Sequence, residues 1–474
     1  MERIKRPSDK WARRGLSHEN CTLVLAPNGK LLYYYPMDFL KTMTHKALLR
    51  SERFFKTDMV YLARSGFWLS VGQTVALFST LLLAIAFSRI LPKETYGLYK
   101  FVLSAASIIG SLSLSGMGTV LVQAVAQGAE GTLKSSVQTH LRWGSVVLIA
   151  GIIGGGYYLL NDNHLLAAAF LIAGLCLPLI GALGLYSAFL SGKKDFRQST
   201  LNWITTQCAQ VALLIAVGYF YPQPLALVAV YFISQALAAI YFYVHTVRKY
   251  KPNTITDANI ITYGKHISAM NFIGAIANQL DKILVFHFVG AAPLATYSFA
   301  FAIPEQIKGL FKNVFNVAIP KYAELPPARL KKSIIRKTWQ LTGIALVLFI
   351  AYDLVAPFLF RFLFPQYLDA VWYSQLYMFG ILFVPGIALF SIYFQLRKAT
   401  ATLYKLSIIN NIATLLLTTI LISNFGVLGA VMENTISWFF MFLVNGYFFL
   451  KDPLPLDDAP ILAVSADTFS HENN

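Results

Sequence analysis

The chain has 474 residues, of which 56% are hydrophobic and 13% charged, and its mean hydropathy is +0.57. These values are typical of a protein that crosses a membrane several times, and they exclude an ordinary soluble domain. The net charge of +17 does not indicate a nucleic-acid partner, because basic loops at the inner membrane surface produce the same excess. The three cysteines form no CxxC motif and no cluster with histidine, so neither a disulfide framework nor a metal site is predicted.

Residues 1–64 are predicted to form a basic cytoplasmic extension. No apolar segment follows the first basic residues, so no signal peptide is expected. Two β-prone runs around a Pro-Asn-Gly turn predict a hairpin over Cys21–Tyr35. The mixture of apolar and basic residues over Phe39–Arg64 predicts an amphipathic helix on the inner membrane surface, and the alternative is a poorly ordered basic tail.

From Ser65 onward the sequence contains twelve apolar runs that are long enough to span a bilayer. An all-α integral membrane protein is therefore predicted, with about twelve transmembrane helices in two six-helix lobes around a central cavity. The predicted spans are 65–90, 97–126, 141–160, 165–191, 199–221, 224–246, 261–289, 293–320, 334–356, 371–396, 403–423 and 427–450.

The distribution of basic residues predicts the orientation. The loops on one side carry eighteen lysines and arginines, and those on the other side carry only Arg89, Lys93 and Arg361. By the positive-inside rule both termini are cytoplasmic, in a multi-pass protein of the cell membrane. A shift of 198 residues overlays the first two spans on the seventh and eighth, which predicts a parallel repeat. We therefore predict an N-half over 65–246, a C-half over 247–450 and an acidic disordered tail over 451–474.

Five charged residues interrupt the apolar runs of spans seven and eight. Asp281 and Lys282 lie in the first run, and Glu305, Lys308 and Lys312 lie in the second. A charge at the centre of the bilayer costs at least ~2.5–3.5 kcal/mol on insertion scales, so such residues face a protein interior or a water-filled cavity. This hairpin is predicted to line a polar cavity.

Four short motifs at the ends of the spans resemble a known family. They are LPKETYGLY at Leu91–Tyr99, QLDK at Gln279–Lys282 with the following Gly290 and Ala295–Tyr297, LFPQY at Leu363–Tyr367, and NFGVLGA at Asn424–Ala430. From about Ser65 to Leu450 the chain resembles the polysaccharide and oligosaccharide flippases (Wzx-type) of the multidrug/oligosaccharidyl-lipid/polysaccharide exporter superfamily. Residues 1–60 and the tail depart from that pattern.

The resemblance implies a flippase that moves an undecaprenyl-pyrophosphate-linked oligosaccharide from the cytoplasmic to the outer leaflet by alternating access. Its implied role is in surface polysaccharide biosynthesis. The implied partners are the lipid-linked oligosaccharide and membrane lipid, with a polysaccharide polymerase and glycosyltransferases as further candidates and no nucleic acid.

Lys282, Lys308 and Lys312 are the candidate ligands for a pyrophosphate or glycan, because lysine is a strong point-charge donor to phosphate. Lys308 and Lys312 lie four residues apart and share a helix face, with Glu305 three residues before Lys308. The alternative is that these lysines pair with Glu305 or extend to the inner surface.

Asp281 is the main candidate for a coupling cation or proton site, because a poorly solvated carboxylate either binds a cation or takes up a proton. Lys282 is expected to point about 100° away around the helix, so that the two need not neutralise each other. The alternative is a static ion pair. Glu305, Glu433 and Asn411 are further candidates for this role, with Na⁺ or H⁺ as the coupling ion and no other cofactor. Asn411 also suits a helix-to-helix hydrogen bond.

Two other functions remain open. A cation-coupled multidrug antiporter of the same superfamily would have a cleft rich in acidic residues, whereas basic residues outnumber acidic ones in spans seven and eight. A membrane scaffold of a glycan-synthesis complex would transport nothing. The sequence contains no nucleophile–base pair, glycine-rich phosphate loop or metal motif, so we do not expect an enzyme.

Overall fold

The computed structural model describes residues 22–25, 31–34, 59–309, 322 and 325–452 of the chain. The chain forms two compact units, Met1–Val71 and Gly72–Asn474. Most of the predicted amphipathic helix, and the predicted acidic tail from residue 453, lie outside the described residues. The N-half and C-half boundaries derived from the sequence stay predictions.

The first unit contains the predicted hairpin. Strands β1 (Thr22–Leu25) and β2 (Leu31–Tyr34) pair antiparallel, with Thr22 opposite Tyr34 and Leu25 opposite Leu31. Both strands consist of the β-branched, aliphatic and aromatic residues that favour a pleated strand. The predicted hairpin is confirmed.

The rest of the described chain is helical, so the predicted all-α membrane fold is confirmed. The helices are α1 (Met59–Ile90), α2 (Lys93–Ser111), α3 (Met117–Ala126), α4 (Thr132–Leu160), α5 (His164–Leu183), α6 (Tyr186–Gly192), α7 (Phe196–Phe220), α8 (Pro224–Tyr250), α9 (Ala258–Ala277), α10 (Leu280–Phe288), α11 (Ala291–Ala300), α12 (Pro327–Leu363), α13 (Ala370–Phe379), α14 (Val384–Leu396) and α15 (Thr400–Lys451). Short 3₁₀ helices occupy Pro365–Tyr367 and Gly380–Phe383, and 304–309 is also helical.

Within the described residues, eight helices are long and apolar enough to cross a membrane. The longest, α15, has 52 residues and contains the last two predicted spans. A straight helix of that length would measure about 78 Å, more than twice the ~30 Å hydrocarbon core. Gly426 breaks it into two helices, because its φ of +56° and ψ of −129° are not helical.

The second, seventh and eighth predicted spans are broken helices. Span two is divided into α2 and α3, and the N–H of Gly116 at the break donates to Ser268 Oγ (2.9 Å). Span seven is divided into α9 and α10 at Asn278–Gln279, and span eight is interrupted between α11 and Pro304. Irregular backbone at membrane depth occurs only where protein or a cavity satisfies it, so the breaks mark the interior of the bundle.

The main hydrophobic core joins the N-half and the C-half. Phe101 of α2 stacks on Phe286 of α10 with ring centroids 3.8 Å apart, and Tyr96 lies 4.6 Å from Phe299 of α11. Two further clusters lie within the C-half and around α3, α5 and α6. Many leucine, isoleucine and phenylalanine side chains on the outside of α4, α12 and α15 are exposed, as expected for surfaces that face lipid. The chain is therefore a multi-pass membrane protein.

Candidate functional site

A polar cavity of about 390 Å³ lies between α2 of the N-half and the helices of the C-half. Its charged lining residues come from four helical segments: Lys100 from α2, Asp281 and Lys282 from α10, Glu305 and Lys308 from the segment 304–309, and Glu433 from α15. Most of the other lining residues are polar or aromatic: Asn278, Ser298, Phe301, Tyr377, Thr414, Asn434, Ser437 and Trp438.

Asp281 lies in the first turn of α10, where the helix dipole favours a carboxylate. Only 9% of its surface is exposed, and its Oδ2 accepts a hydrogen bond from the hydroxyl of Tyr297 (2.6 Å). Lys282 Nζ lies 3.3 Å from Asp281 Oδ1, so the expectation that the two side chains diverge is wrong. The reason is the length of the lysine stem, which turns back across the helix break to within 3.4 Å of the Asn278 carbonyl oxygen.

Glu305 and Lys308 form an ion pair one turn apart. The hydroxyl of Tyr377 also donates to Glu305, and Lys308 Nζ lies 3.2 Å from that hydroxyl and 4.7 Å above the ring of Trp438. Lys308 is therefore held by a carboxylate, a phenol and an aromatic face. This arrangement corresponds to the alternative considered from the sequence, in which Lys308 pairs with Glu305.

The α15 residues add a second buried carboxylate. Glu433 is 3% exposed and accepts a hydrogen bond from the hydroxyl of Ser437 (2.7 Å). Its neighbour Asn434 donates to Tyr297 Oη (3.3 Å), so α15 reaches the phenol that also binds Asp281. Asp281 and Glu433, two separate candidates for the coupling site in the sequence, therefore line the same cavity.

One candidate residue, Asn411, does not join this group. Asn411 is absent from the cavity lining, and its Nδ2 lies 3.5 Å from Ser407 Oγ on the same helix. The sequence does not fix which face of a helix looks inward, and here Thr414 occupies the lining position on this stretch of α15. Lys312 lies outside the described residues.

Four residues at the site were not predicted from the sequence: Lys100, Tyr297, Tyr377 and Trp438. Lys100 lies close to the start of an apolar run and resembles an ordinary flanking charge, although an intramembrane lysine is itself a signal of function. The three aromatic residues count as apolar in a hydropathy pattern, which hides their hydrogen-bonding groups.

The charges of the described lining balance. Lys100, Lys282 and Lys308 face three carboxylates, those of Asp281, Glu305 and Glu433. The five charged residues that interrupt spans seven and eight are three lysines and two carboxylates, and the cavity lining adds Lys100 and Glu433 to them. Because Lys312 lies outside the described residues, the described part of the lining contains equal numbers of lysines and carboxylates.

The end of the bundle opposite the basic loops is closed. We use "outer mouth" for the cluster formed there by Ser88, Arg89 and Lys93 of the N-half with Phe362, Leu363, Gln366 and Asp369 of the C-half. Lys93 pairs with Asp369 (3.1 Å), Arg89 donates to the carbonyl of Phe362 (2.7 Å), and Ser88 donates to that of Leu363 (3.0 Å).

Deeper in the same seam, α2 and α11 approach so closely that a Cβ on Gly97 would lie 1.8 Å from the carbonyl oxygen of Ala291. At the basic end, α9 and the segment before it contact the N-half. For example, the backbone N–H of Asp257 donates to Thr132 Oγ1 (3.1 Å). Among the described residues, the two halves are thus in contact at both ends, and the ion pair that joins them lies at the outer mouth.

Comparison with known proteins places the chain in a family. The profile of a family described as polysaccharide biosynthesis protein matches residues 62–326, more than half of the chain. No curated protein matches it significantly by sequence.

Several solved structures share the fold. The lipid II flippase MurJ in an inward closed conformation is 12% identical, with a TM-score of 0.62 over 85% of this chain and 90% of its own. An inward-facing multidrug resistance MATE family transporter of the MOP superfamily is 12% identical, with a TM-score of 0.58 over 86% and 99% of the two chains. A MOP superfamily transporter from Pyrococcus furiosus is 14% identical, with a TM-score of 0.52 over 82% and 94%.

Identities this low establish the fold alone, whereas the profile match establishes the family. The resemblance found in the sequence motifs is confirmed by both. The chain has the fold of the MOP-superfamily transporters and belongs to the polysaccharide biosynthesis protein family.

Proposed function

We propose that this protein is a flippase that moves an undecaprenyl-pyrophosphate-linked oligosaccharide from the cytoplasmic to the outer leaflet by alternating access. The main observation behind this proposal is a cavity that has lysines from both halves of the chain and lies beneath a closed outer mouth. The family and the fold shared with a lipid II flippase support this substrate class. The lipid tail stays in the bilayer while the lobes rock around the polar head group.

The cavity suits a substrate whose phosphates must leave water. Lys100 lies on the N-half side, and no described carboxylate lies within ion-pair distance of it. Lys282 and Lys308 each contact a carboxylate, and a pyrophosphate entering the cavity competes for both ammonium groups. The ring of Trp438 lines the cavity and is only partly buried, so it suits contact with a sugar.

Charge balance supports coupling to a cation. A pyrophosphate adds negative charge to a cavity whose described lysines and carboxylates are equal in number. Burying uncompensated charge is costly, so uptake of Na⁺ or H⁺ at Asp281 or Glu433 accompanies the substrate in this proposal. Asp281 and Glu433 are the two most buried carboxylates of the described lining.

A cation-coupled multidrug antiporter is the second candidate. The three carboxylates together with Phe301, Tyr377 and Trp438 suit an organic cation, which aromatic faces attract. The third candidate, a scaffold without transport, would show no movement of any substrate. In the flippase proposal the basic loops face the cytoplasm, both termini lie there, and polymerases and glycosyltransferases act on either side of the step.

The test is reconstitution in liposomes followed by transbilayer movement of the lipid-linked oligosaccharide, with and without a sodium or proton gradient. We expect movement that falls at least about a hundredfold in the Lys282→Ala/Lys308→Ala variant, because each of the two lost phosphate contacts to a charged donor contributes ~1.5–3 kcal/mol. Lys134→Ala, on the basic face, is the matched control. Unchanged movement in the double variant would remove the proposed site, and uptake of a cationic drug without lipid movement would favour the antiporter.

A further inference from the structure

The short helix α11 carries two adjacent residues that bond in different directions. Thr296 Oγ1 donates to Asp369 Oδ2 (3.0 Å), and Tyr297 Oη donates to Asp281 Oδ2 (2.6 Å). The first bond reaches the outer mouth and the second reaches the central cavity. One peptide unit therefore joins the two regions of the protein.

At the outer mouth, Asp369 is shared between the halves. Its Oδ2 lies 3.1 Å from Lys93 Nζ of the N-half and accepts the Thr296 hydroxyl from the C-half. Lys93 Nζ also lies 5.1 Å from the ring centroid of Tyr367, which is fully buried. Loss of the Thr296 bond leaves Asp369 with one polar partner fewer and weakens the closure.

In the cavity, Tyr297 is fully buried and has two polar partners, since it donates to Asp281 and accepts from Asn434. Among the described residues, the charged and titratable groups around Asp281 are Tyr297 of α11, Lys282 of its own helix, Glu433 of α15, Glu305 and Lys308 of 304–309, Tyr377 of α13, and Lys100 of α2. An ionised Asp281 is a strong acceptor for the phenol. A proton or a cation on that carboxylate competes with the Tyr297 hydroxyl for the same oxygen.

The helix between the two bonds, α11, is tightly packed. α11 has ten residues, and Leu294, Ala295, Phe299 and Ala300 are fully buried. Its first residue, Ala291, is in contact with Gly97 of the N-half. Because packed interiors have discrete arrangements rather than continuous ones, a displacement of Tyr297 displaces Thr296 and Ala291 with it.

We propose that Tyr297 is a positioning residue that ties the charge state of Asp281 to the closure of the outer mouth. With Asp281 ionised, Tyr297 holds α11 in place and Thr296 completes the Lys93–Asp369 contact. With Asp281 neutralised by a proton or a cation, the phenol is released, α11 shifts, and the outer mouth opens. This inference goes beyond the flippase proposal because it requires no particular substrate.

The test measures access to Ser88, which is fully buried at the outer mouth and whose hydroxyl bonds Leu363 across the seam. Ser88→Cys is nearly isosteric, and it is introduced after Cys21→Ser, Cys176→Ala and Cys208→Ser. A membrane-impermeant maleimide is added at the outer face of oriented vesicles, without substrate, and the labelling rate is recorded. Thermal denaturation of each variant in detergent confirms that it is folded.

We expect Asp281→Asn, Tyr297→Phe and Thr296→Val each to label roughly fivefold faster than the Ser88→Cys parent, the change that one net hydrogen bond supports. The double variant Asp281→Asn/Tyr297→Phe is expected to label no faster than either single variant, because both substitutions remove the same hydrogen bond. Because maleimide reacts with the thiolate, each rate is divided by that of an exposed single cysteine labelled in the same buffer. Acidic or sodium-containing buffer is then expected to raise the relative rate of the parent, whereas Tyr297→Phe keeps one relative rate in all buffers.

Tyr393→Phe is the matched control. Its phenol also donates to a carboxylate, Asp452 (2.7 Å), but in the C-half away from α11. It is expected to label like the parent and to keep the response to the buffer. If a folded Tyr297→Phe keeps the parent's rate and its buffer response, the link is overturned. If the link holds while no lipid moves in the transport assay, the flippase proposal fails and this inference stands.

Discussion

Lys100 differs from the other two described cavity lysines in its partners. Lys282 and Lys308 contact Asp281 and Glu305, whereas the described contact of Lys100 is with the ring of Tyr96, whose centroid is 5.4 Å away. A cation over an aromatic face keeps its charge available to an anion, because the ring offers only a weak partial negative charge. In the proposed flippase, Lys100 is therefore the lysine that a phosphate reaches without displacing a described carboxylate.

Replacing Lys100 by alanine is expected to raise the substrate concentration for half-maximal flipping by about tenfold, the effect of one lost charged hydrogen bond. Folding should be unaffected, since no described carboxylate loses an ion-pair partner. The measurement is initial flipping rate against lipid concentration, with Lys134→Ala alongside. An unchanged concentration dependence would contradict this role.

Asp195 at the basic face shows the effect of partners on a carboxylate outside the membrane spans. Burial by itself raises the pKa of Asp195, but the hydroxyl of Tyr250 (2.5 Å), the N–H of Gln198 and the charges of Lys249 and Arg197 outweigh it. The pKa is lowered from its ordinary value of 3.8. The contribution of these contacts to stability is therefore present above about pH 3.8 and is lost as the pH falls through the lowered value.

Asp195→Asn keeps a helix-capping side chain and removes the charge. Its thermal midpoint is expected to lie below that of the wild type at neutral pH, and the difference should shrink on acidification below about pH 3.8, where the wild-type carboxylate becomes protonated. Thermal denaturation in detergent across this range measures both effects. Asp162→Asn, at an exposed position, is the control. If the difference in thermal midpoint between the wild type and Asp195→Asn grew on acidification, the lowered pKa of Asp195 would be refuted.

At the scale of helices, the packing of α2 on α11 depends on a residue without a side chain. The Cβ of alanine at position 97 would overlap the carbonyl oxygen of Ala291. We expect Gly97→Ala to destabilise the protein by ~1–3 kcal/mol, the usual cost of overpacking, and to increase labelling of Ser88→Cys. Gly156→Ala, at a helical position with open space around it, is the control. Equal stability of the two variants would contradict the close approach.

The turn within α15 depends on the backbone of Gly426, whose φ of +56° with ψ of −129° suits glycine alone. Gly426→Ala is expected to cost ~1–3 kcal/mol in thermal denaturation, because this strain persists in the folded state. The control is Gly446→Ala in the same helix, where an added Cβ makes an ordinary contact of 3.5 Å with Phe390. A smaller cost at 426 than at 446 would refute the assignment of strain.

At the scale of the whole molecule, the sequence predicted what depends on hydropathy and charge. Long apolar runs identified the helices, and charges inside them identified Asp281, Glu305, Lys308 and Glu433, since a charge in lipid must turn inward. The hairpin followed from strand propensity and turn residues. These features depend on local sequence, so they can be predicted without knowing how the helices pack.

Features that depend on packing were not predictable in the same way. The pairing of Lys282 with Asp281 depends on the helix break before Leu280, and the exclusion of Asn411 depends on the rotation of α15. Lys100 and Tyr297 belong to the site because the fold places α2 and α11 beside α10. Neither residue stands out in the sequence, because its role depends on the side chains that surround it in the folded protein.

The most direct test of the proposed substrate is binding of the lipid-linked oligosaccharide to the purified protein, comparing a pyrophosphate linkage with a monophosphate one. Three described lysines in one cavity predict tighter binding of the pyrophosphate form, by about tenfold, and loss of that preference in Lys100→Ala combined with Lys308→Ala. Equal affinity for the two linkages, or a preference that survives in the double variant, would contradict the assignment of this cavity to the pyrophosphate.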